Sequence, residues 1–327
     1  MTSIADQYRI ITSGGGWVDR SARGRVEFSG PDAVAFLQGL LTNDVSQLER
    51  GRGVYAAWLT PVGRMIADFE VLHRGDRLIA LVGEGLGPGL ASRFDQLIFA
   101  ENMNVADVSA EYAEIAVTGQ AAPALVAAAV GADAAVLAAL PELAQADVGD
   151  GFVVRTGDSP FPAFHVLMGP AQRAGVVARL EEAGVVAMTE DMATALRIEA
   201  GRGEWGRDLG EDVIPLEAGL LDRAISTTKG CYVGQEIVIR ILHRGGGRVA
   251  RRLVTLAFDA ALDIAPEPKA TLEVAGAAVG HLTSVAFSPA RGCFIALGYL
   301  HRDAGEVGRQ VSVTGSGATA VVTGFAS

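Results

Sequence analysis

Hydrophobic and polar positions alternate with period two in short runs through much of this chain, and three of these runs stop at a glycine before a helical pattern begins. Arg25-Val26-Glu27-Phe28-Ser29-Gly30-Pro31 leads into 33–41, Ile115-Ala116-Val117-Thr118-Gly119 into 121–130, and Phe164-His165-Val166-Leu167-Met168-Gly169-Pro170 into 171–183. Alternation of this kind marks half-buried strands. A proline just after the glycine suits the first helical turn, where its missing N–H costs nothing. Strands that alternate with helices predict α/β or α+β layers. From Arg251 onward the texture changes to short β-like runs at 252–258, 270–274, 280–287, 293–300 and 310–322. Such runs, with Gly and Pro turns between them, predict a small barrel or sandwich. The passage His243-Arg244-Gly245-Gly246-Gly247-Arg248 reads as a hinge and divides the chain into 1–247 and 248–327.

Composition narrows the function classes. At 327 residues the chain is long enough for two or three compact units, and its 50% hydrophobic content allows a proper core. The formal charge of −11 argues against a general nucleic-acid binder. Two cysteines do not make a disulfide framework, so reduced cytoplasmic thiols are expected. The stretch Met1–Arg9 lacks the apolar core of a secretory signal. The nearly uncharged stretch 121–140 is alanine-rich and carries Pro123, Gly131 and Asp133, which makes it a poor membrane span.

The densest chemistry lies in Lys229-Gly230-Cys231-Tyr232-Val233-Gly234-Gln235-Glu236, with Arg240 four residues on. A thiol beside a cation and between glycines is expected to be exposed, with its thiolate favoured. The plainer reading is a buried cysteine packing as a small hydrophobe, which suits Cys293 in its apolar run better. The cysteines and histidines show no zinc-ligand spacing, and one chain cannot supply four thiolates for an iron–sulfur cluster. Upstream, Arg197 to Glu199, Glu204 to Leu209 and Ile214 to Leu220 crowd carboxylates, arginines and Trp205 into a glycine-rich, loop-like stretch. Glu199 and Trp205 are suited to a flat heterocycle, one by bidentate hydrogen bonding and the other by stacking; a solvated surface loop is the alternative. Gly39 reads as the stop of the first of the three helices, followed by an Asn43/Asp44 turn. Asp68 falls in the apolar strand of a predicted hairpin, where a carboxylate is either paired with an arginine or functional. Pro88 spoils a dinucleotide fingerprint that begins at Gly83, and no Walker loop or Gly-x-Ser-x-Gly elbow is present.

The run from Lys229 to Glu236, with Arg240, resembles the signature of the YgfZ family, folate-binding proteins of iron–sulfur cluster assembly or repair. Around it, Ser29 to Ala33, Phe36 to Gly39, Thr42 to Val45, Arg197 to Gly201 and Pro215 to Leu220 resemble the wider glycine-cleavage T-protein group, whose enzymes are aminomethyltransferases using tetrahydrofolate. The resemblance implies an α+β, three-part architecture: two ferredoxin-like α/β units and a C-terminal β-barrel around a central folate channel. It implies that Glu199 faces the pterin and that an arginine, for which Arg240 is the candidate, meets the glutamate tail with a bidentate fork. The T-protein enzymes tend to carry two consecutive aspartates where this chain has Ala67-Asp68.

The sequence therefore predicts a tetrahydrofolate-binding accessory protein that acts through Cys231 on iron–sulfur client enzymes or assembly proteins. The motif residues are Lys229, Gly230, Tyr232 and Gly234, and the folate-binding residues are Glu199, Trp205, Gln235, Glu236 and Arg240. The alternative is a folate-dependent one-carbon transferase with Asp68 as acid/base. A third reading, RNA contact through Arg240, Arg244, Arg248, Arg251 and Arg252, is opposed by the acidic balance elsewhere.

Overall fold

The computed structural model describes residues 3–327; Met1 and Thr2, where the polar Met1–Arg9 stretch begins, lie outside the described residues. The chain forms two compact units: 1–58, 68–189 and 226–232 make the first, and 59–67, 190–225 and 233–327 the second. Mixed α+β content and a closed C-terminal barrel give the expected fold class.

In the first unit a six-stranded sheet runs in the order Val186–Ala187, Gly16–Asp19, Ala113–Thr118, Ala163–Met168, Gly151–Thr156, Gln145–Val148. The helices Ala122–Val130 and Arg173–Glu182 share a core with it, in which Ile115, Val126, Phe164 and Leu180 are fully buried. A five-stranded sheet follows the order Gly53–Leu59, Met65–His73, Arg77–Glu84, Arg23–Ser29, Asn104–Asp107. The tip of its first hairpin, residues 59–67, is counted with the second unit. Phe94 of the helix Gly87–Asp95 stacks on Trp58 at 4.4 Å between centroids and meets Phe28 edge-on at 5.0 Å. Aromatic pairs in these arrangements add to the burial of area alone.

All three strand–glycine–helix passages form, at Ala33–Leu40, Ala122–Val130 and Arg173–Glu182. Gly39, however, lies inside its helix rather than stopping it. The stop comes from Leu41, whose extended backbone donates its N–H to Leu37 O and then bridges to Trp58.

In the second unit the barrel order is Arg251–Phe258, Cys293–His301, Ala277–Ser288, Thr271–Val274, Gln310–Val313, Thr319–Phe325, closing on itself. Its interior is Val254, Leu256, Leu272, Leu282, Ala296, Leu300 and Val322, the inward half of the alternation read from the sequence. The run 310–322 is two strands, not one, because the chain turns between Val313 and Thr319 with Gly315 at φ +76°.

Candidate functional site

Cys231 is exposed, while Cys293 is buried. Lys229 is not placed to act on the thiol. Its side chain runs inward and Nζ donates to the carbonyl oxygens of Gln38 at 2.7 Å, Leu41 at 2.6 Å and Asn43 at 2.9 Å. An ammonium has three N–H donors, and all three are thereby spent. This corrects the expectation that Lys229 favours the Cys231 thiolate. The cation instead fastens the motif to the turn after the helix Ala33–Leu40. Burial pushes the Lys229 ammonium down to about 8, with the nearby Asp44 carboxylate opposing. Nζ also lies 5.3 Å from the ring centre of Tyr232, a cation–π distance, and burial pushes that phenol up to about 12.

The anchored turn leads to Asp68. Asn43 Nδ2 donates to Tyr55 O at 2.9 Å, and the Tyr55 hydroxyl donates to Asp68 Oδ2 at 2.6 Å. Lys229, Asn43, Tyr55 and Asp68 thus form one chain of contacts inside the first unit. The Tyr55 phenol is one partner of the Asp68 carboxylate and fixes the orientation of Oδ2.

The rest of the motif belongs to the second unit. Gly234, at φ +83°, caps the helix Gln235–Ile239. A Cβ there would lie 2.6 Å from Thr60 O and 2.8 Å from Leu59 Cβ, so both the backbone and the space demand glycine. Glu236 and Arg240 pair with each other one turn apart, at 2.6 Å, with side chains 79% and 56% exposed. An exposed pair of that kind is held weakly.

Arg197 and Glu199 occupy the last turn of the helix Glu190–Glu199, not a loop. Glu199 Oε1 accepts the Ser288 hydroxyl at 2.6 Å. Burial pushes the Glu199 carboxyl up, against the Ser288 hydrogen bond and the Arg291 charge. In the turn 204–209, Gly206 and Arg207 are exposed, but Asp208 and Leu209 are buried. Asp208 is 2% exposed and its carboxylate accepts from Arg197 Nη1 at 2.6 Å, the Glu204 N–H at 3.0 Å, Ser284 Oγ at 2.8 Å and Thr283 Oγ1. Trp205, half-buried, sits at the head of this turn, where it bridges to Leu209.

Sequence reasoning missed Asp208 as the hub that ties the helix Glu190–Glu199 to the barrel strand Ala277–Ser288. It also missed a buried charge cluster in the first unit. Glu114, fully buried, accepts from Arg25 Nη2 at 2.6 Å and Arg23 Nη1 at 3.1 Å and lies 2.6 Å from His165 Nδ1, while Arg23 also reaches Glu70 at 3.2 Å. Burial alone would push the Glu114 carboxyl up; Arg23, His165 and Arg25 outweigh it and hold the group well below the usual carboxylate range. The only available signal was charged residues at strand positions inside apolar runs.

Among the described residues, no three His, Cys, Asp or Glu side chains converge to hold a metal ion, and no helix is long and apolar enough to cross a membrane.

A mixed α/β first unit and a closed six-stranded barrel in the second are the architecture of the T-protein class. Residues 1–229 match the family described as the GCVT N-terminal domain, and residues 251–324 match the glycine cleavage T-protein C-terminal barrel domain. This chain belongs to the glycine cleavage T-protein family. An aminomethyltransferase of Rubrobacter xylanophilus is 30% identical over 91% of this chain and 79% of its own length. One from Moorella thermoacetica is 28% identical over 96% of this chain and 86% of its own. The crystal structure of glycine cleavage system aminomethyltransferase T from Bartonella henselae matches with a TM-score of 0.87 over 98% of this chain and 88% of that one; at 20% identity it speaks to the fold alone.

Proposed function

We propose that this protein is a cytoplasmic, tetrahydrofolate-binding member of the YgfZ branch that supports the assembly or repair of iron–sulfur cluster enzymes through Cys231. The observation that carries this reading is the exposed Cys231 in a turn pinned by its own motif lysine. A thiol whose backbone is held while its sulfur faces solvent can meet a client protein without local unfolding. Glu199 supports the folate part. A half-buried carboxylate, its orientation fixed by the Ser288 hydroxyl on Oε1, can accept from the donor edge of a pterin. The glutamate tail falls to Arg240 once Glu236 releases it, and Trp205 and Gln235 complete the folate contacts. The division at residue 247, with the barrel as a separate C-terminal part, belongs to the same reading.

Two measurements test it. Calorimetric titration of tetrahydrofolate into the wild type and Glu199→Ala is expected to give micromolar binding that the variant loses. Cys231→Ser is expected to bind folate normally but to fail in restoring iron–sulfur enzyme activity to cells that lack the protein. Full restoration would remove Cys231 from the function.

The second reading, folate-dependent aminomethyl transfer with Asp68 as acid/base, is favoured by the Tyr55–Asp68 hydrogen bond and by the relatives' names. On that reading Asp68→Asn abolishes turnover and retains folate, because proton handling at the folate nitrogen needs a positioned carboxyl group. An Asp68→Asn variant as active in cells as the wild type would leave the thiol reading alone.

A further inference from the structure

We infer that a cleft on the second unit, where the hairpin tip 59–67 and the segment 212–217 meet the barrel, binds a small organic anion, its head held by Arg64 and Arg251 and its apolar body against Val274 and Val279. The cleft encloses about 880 Å³, a volume usual for small-molecule sites, and neither Glu199, Trp205 nor Arg240 lines it. The inference therefore stands apart from the folate reading.

Two guanidinium groups converge at one end of it. Arg64 Nη1 donates to the carbonyl oxygen of Asp212 at 3.1 Å, and Arg251 Nη2 donates to that same oxygen at 2.9 Å. Cations brought so close repel each other unless an anion lies between them. The cleft's own anions answer only part of that need. Glu217, nearly buried, is committed to Arg251 Nε at 3.0 Å. The Asp212 carboxylate reaches Arg251 at 3.1 Å, but its side chain is 71% exposed, and water screens such a contact. Asp303 lies at the rim, 73% exposed, beside His301 and Arg302. The firmly held Glu217 carboxylate thus serves Arg251 alone, Arg64 is met only by the Asp212 carbonyl oxygen, and the exposed Asp212 side chain acts as a placeholder that a better anion displaces.

The cation that matters most is preorganised. Arg251 lies over the Tyr299 ring at 4.5 Å, and the Tyr299 hydroxyl is itself tied to Asp208 O at 3.0 Å. Arg64, exposed on the hairpin tip, is free to close from the other side. Burial and the Arg251 charge push the His281 imidazole down, so this wall offers a neutral hydrogen-bonding group. Ile214, Val274, Ala278 and Val279 supply the apolar surface. A carboxylate or a phosphate fits the paired guanidiniums equally by charge. An aryl or short acyl body fits the rest.

Fluorine NMR tests this on the full chain, with 4-(trifluoromethyl)benzoate and 4-(trifluoromethyl)phenyl phosphate as probes and neutral 4-(trifluoromethyl)benzamide as control. At least one anion is expected to bind about tenfold or more tighter than the benzamide, with affinity falling as salt rises. The tighter of the two names the head group. Arg64→Gln, an exposed substitution that leaves the fold intact, is expected to weaken binding about fivefold or more, Asp212→Asn to strengthen it, and Glu199→Ala to leave it unchanged. Absence of binding by both anions at millimolar concentration, equal binding of the benzamide, or unaltered affinity in Arg64→Gln would overturn the inference. Loss of binding in Glu199→Ala would assign the anion to the folate site instead and equally overturn it.

Discussion

The Nζ of Lys229 lies 2.6 Å from the carbonyl oxygen of Leu41, across 188 residues of chain. With Gln38 O and Asn43 O as its other partners, this contact makes the lysine of the motif an anchor for the turn that carries Cys231.

Lys229→Met is expected to cost roughly 2–4 kcal/mol, because three carbonyls lose a charged donor in a site closed to most water. In the wild type the folded-state pKa of about 8 lies below the unfolded value of about 10.5. The unfolded chain therefore binds more protons between pH 8 and 10.5, and wild-type stability gains with rising pH across that window. Denaturant unfolding at pH 7.5 and 10 checks both points: the variant should be weaker at the lower pH and lack the gain.

Gly234 and Gly230 separate cleanly. Gly234→Ala forces a Cβ to 2.6 Å from Thr60 O at a positive φ and is expected to cost about 2 kcal/mol or more. Gly230 has open space where a Cβ would stand, so Gly230→Ala is expected to stay within about 1 kcal/mol of the wild type. Thermal unfolding of the two variants side by side decides it.

Glu114→Gln leaves fully buried Arg25 without its carboxylate and is expected to destabilise the first unit by about 3–5 kcal/mol. Because the native carboxyl is held low, the unfolded chain binds the extra proton below about pH 4.5. The wild type therefore carries this stability above that pH and loses it on acidification. An acid-unfolding series should show a shallower slope in the variant.

Glu199 behaves in the opposite sense. Its native carboxyl titrates above the usual range, so the folded chain holds the proton longer and stability declines as pH rises just above about 4.5. Glu199→Gln should flatten that decline, measured by denaturant unfolding between pH 4 and 7. A variant with the wild-type slope would mean that the carboxyl is not biased by burial.

The barrel was legible where alternation, a local property, shows the inward face, as Val254, Leu256 and Phe258 do in the first strand; Cys293–His301, buried along nearly its whole length, reads only as an apolar run. The joined run 310–322 was misread because both halves alternate and the turn between them is short. Lys229 was misread for a different reason. Adjacency in sequence paired it with Cys231, whereas the chain sends its side chain to carbonyls about 190 residues away. Glu114 and Arg25 are likewise 89 residues apart and Ser284 and Asp208 76 apart, and no local pattern announces such partners. Asp68 and Glu199 were found as candidates because a carboxylate in an apolar strand and one in a dense polar motif are both anomalies visible in place. The phenol on one and the hydroxyl on the other were not.

In the barrel, Arg251–Phe258 is the earliest strand and Thr319–Phe325 the latest, yet the two are hydrogen-bonded neighbours. During synthesis the first strand waits for some sixty residues to emerge before its second edge is covered. Until then the nascent chain shows an open, apolar-faced edge to every other nascent chain nearby. The ring that closes the barrel on itself also makes the synthesis of its last strand the interval in which a chaperone, or a slow codon, has most influence on yield.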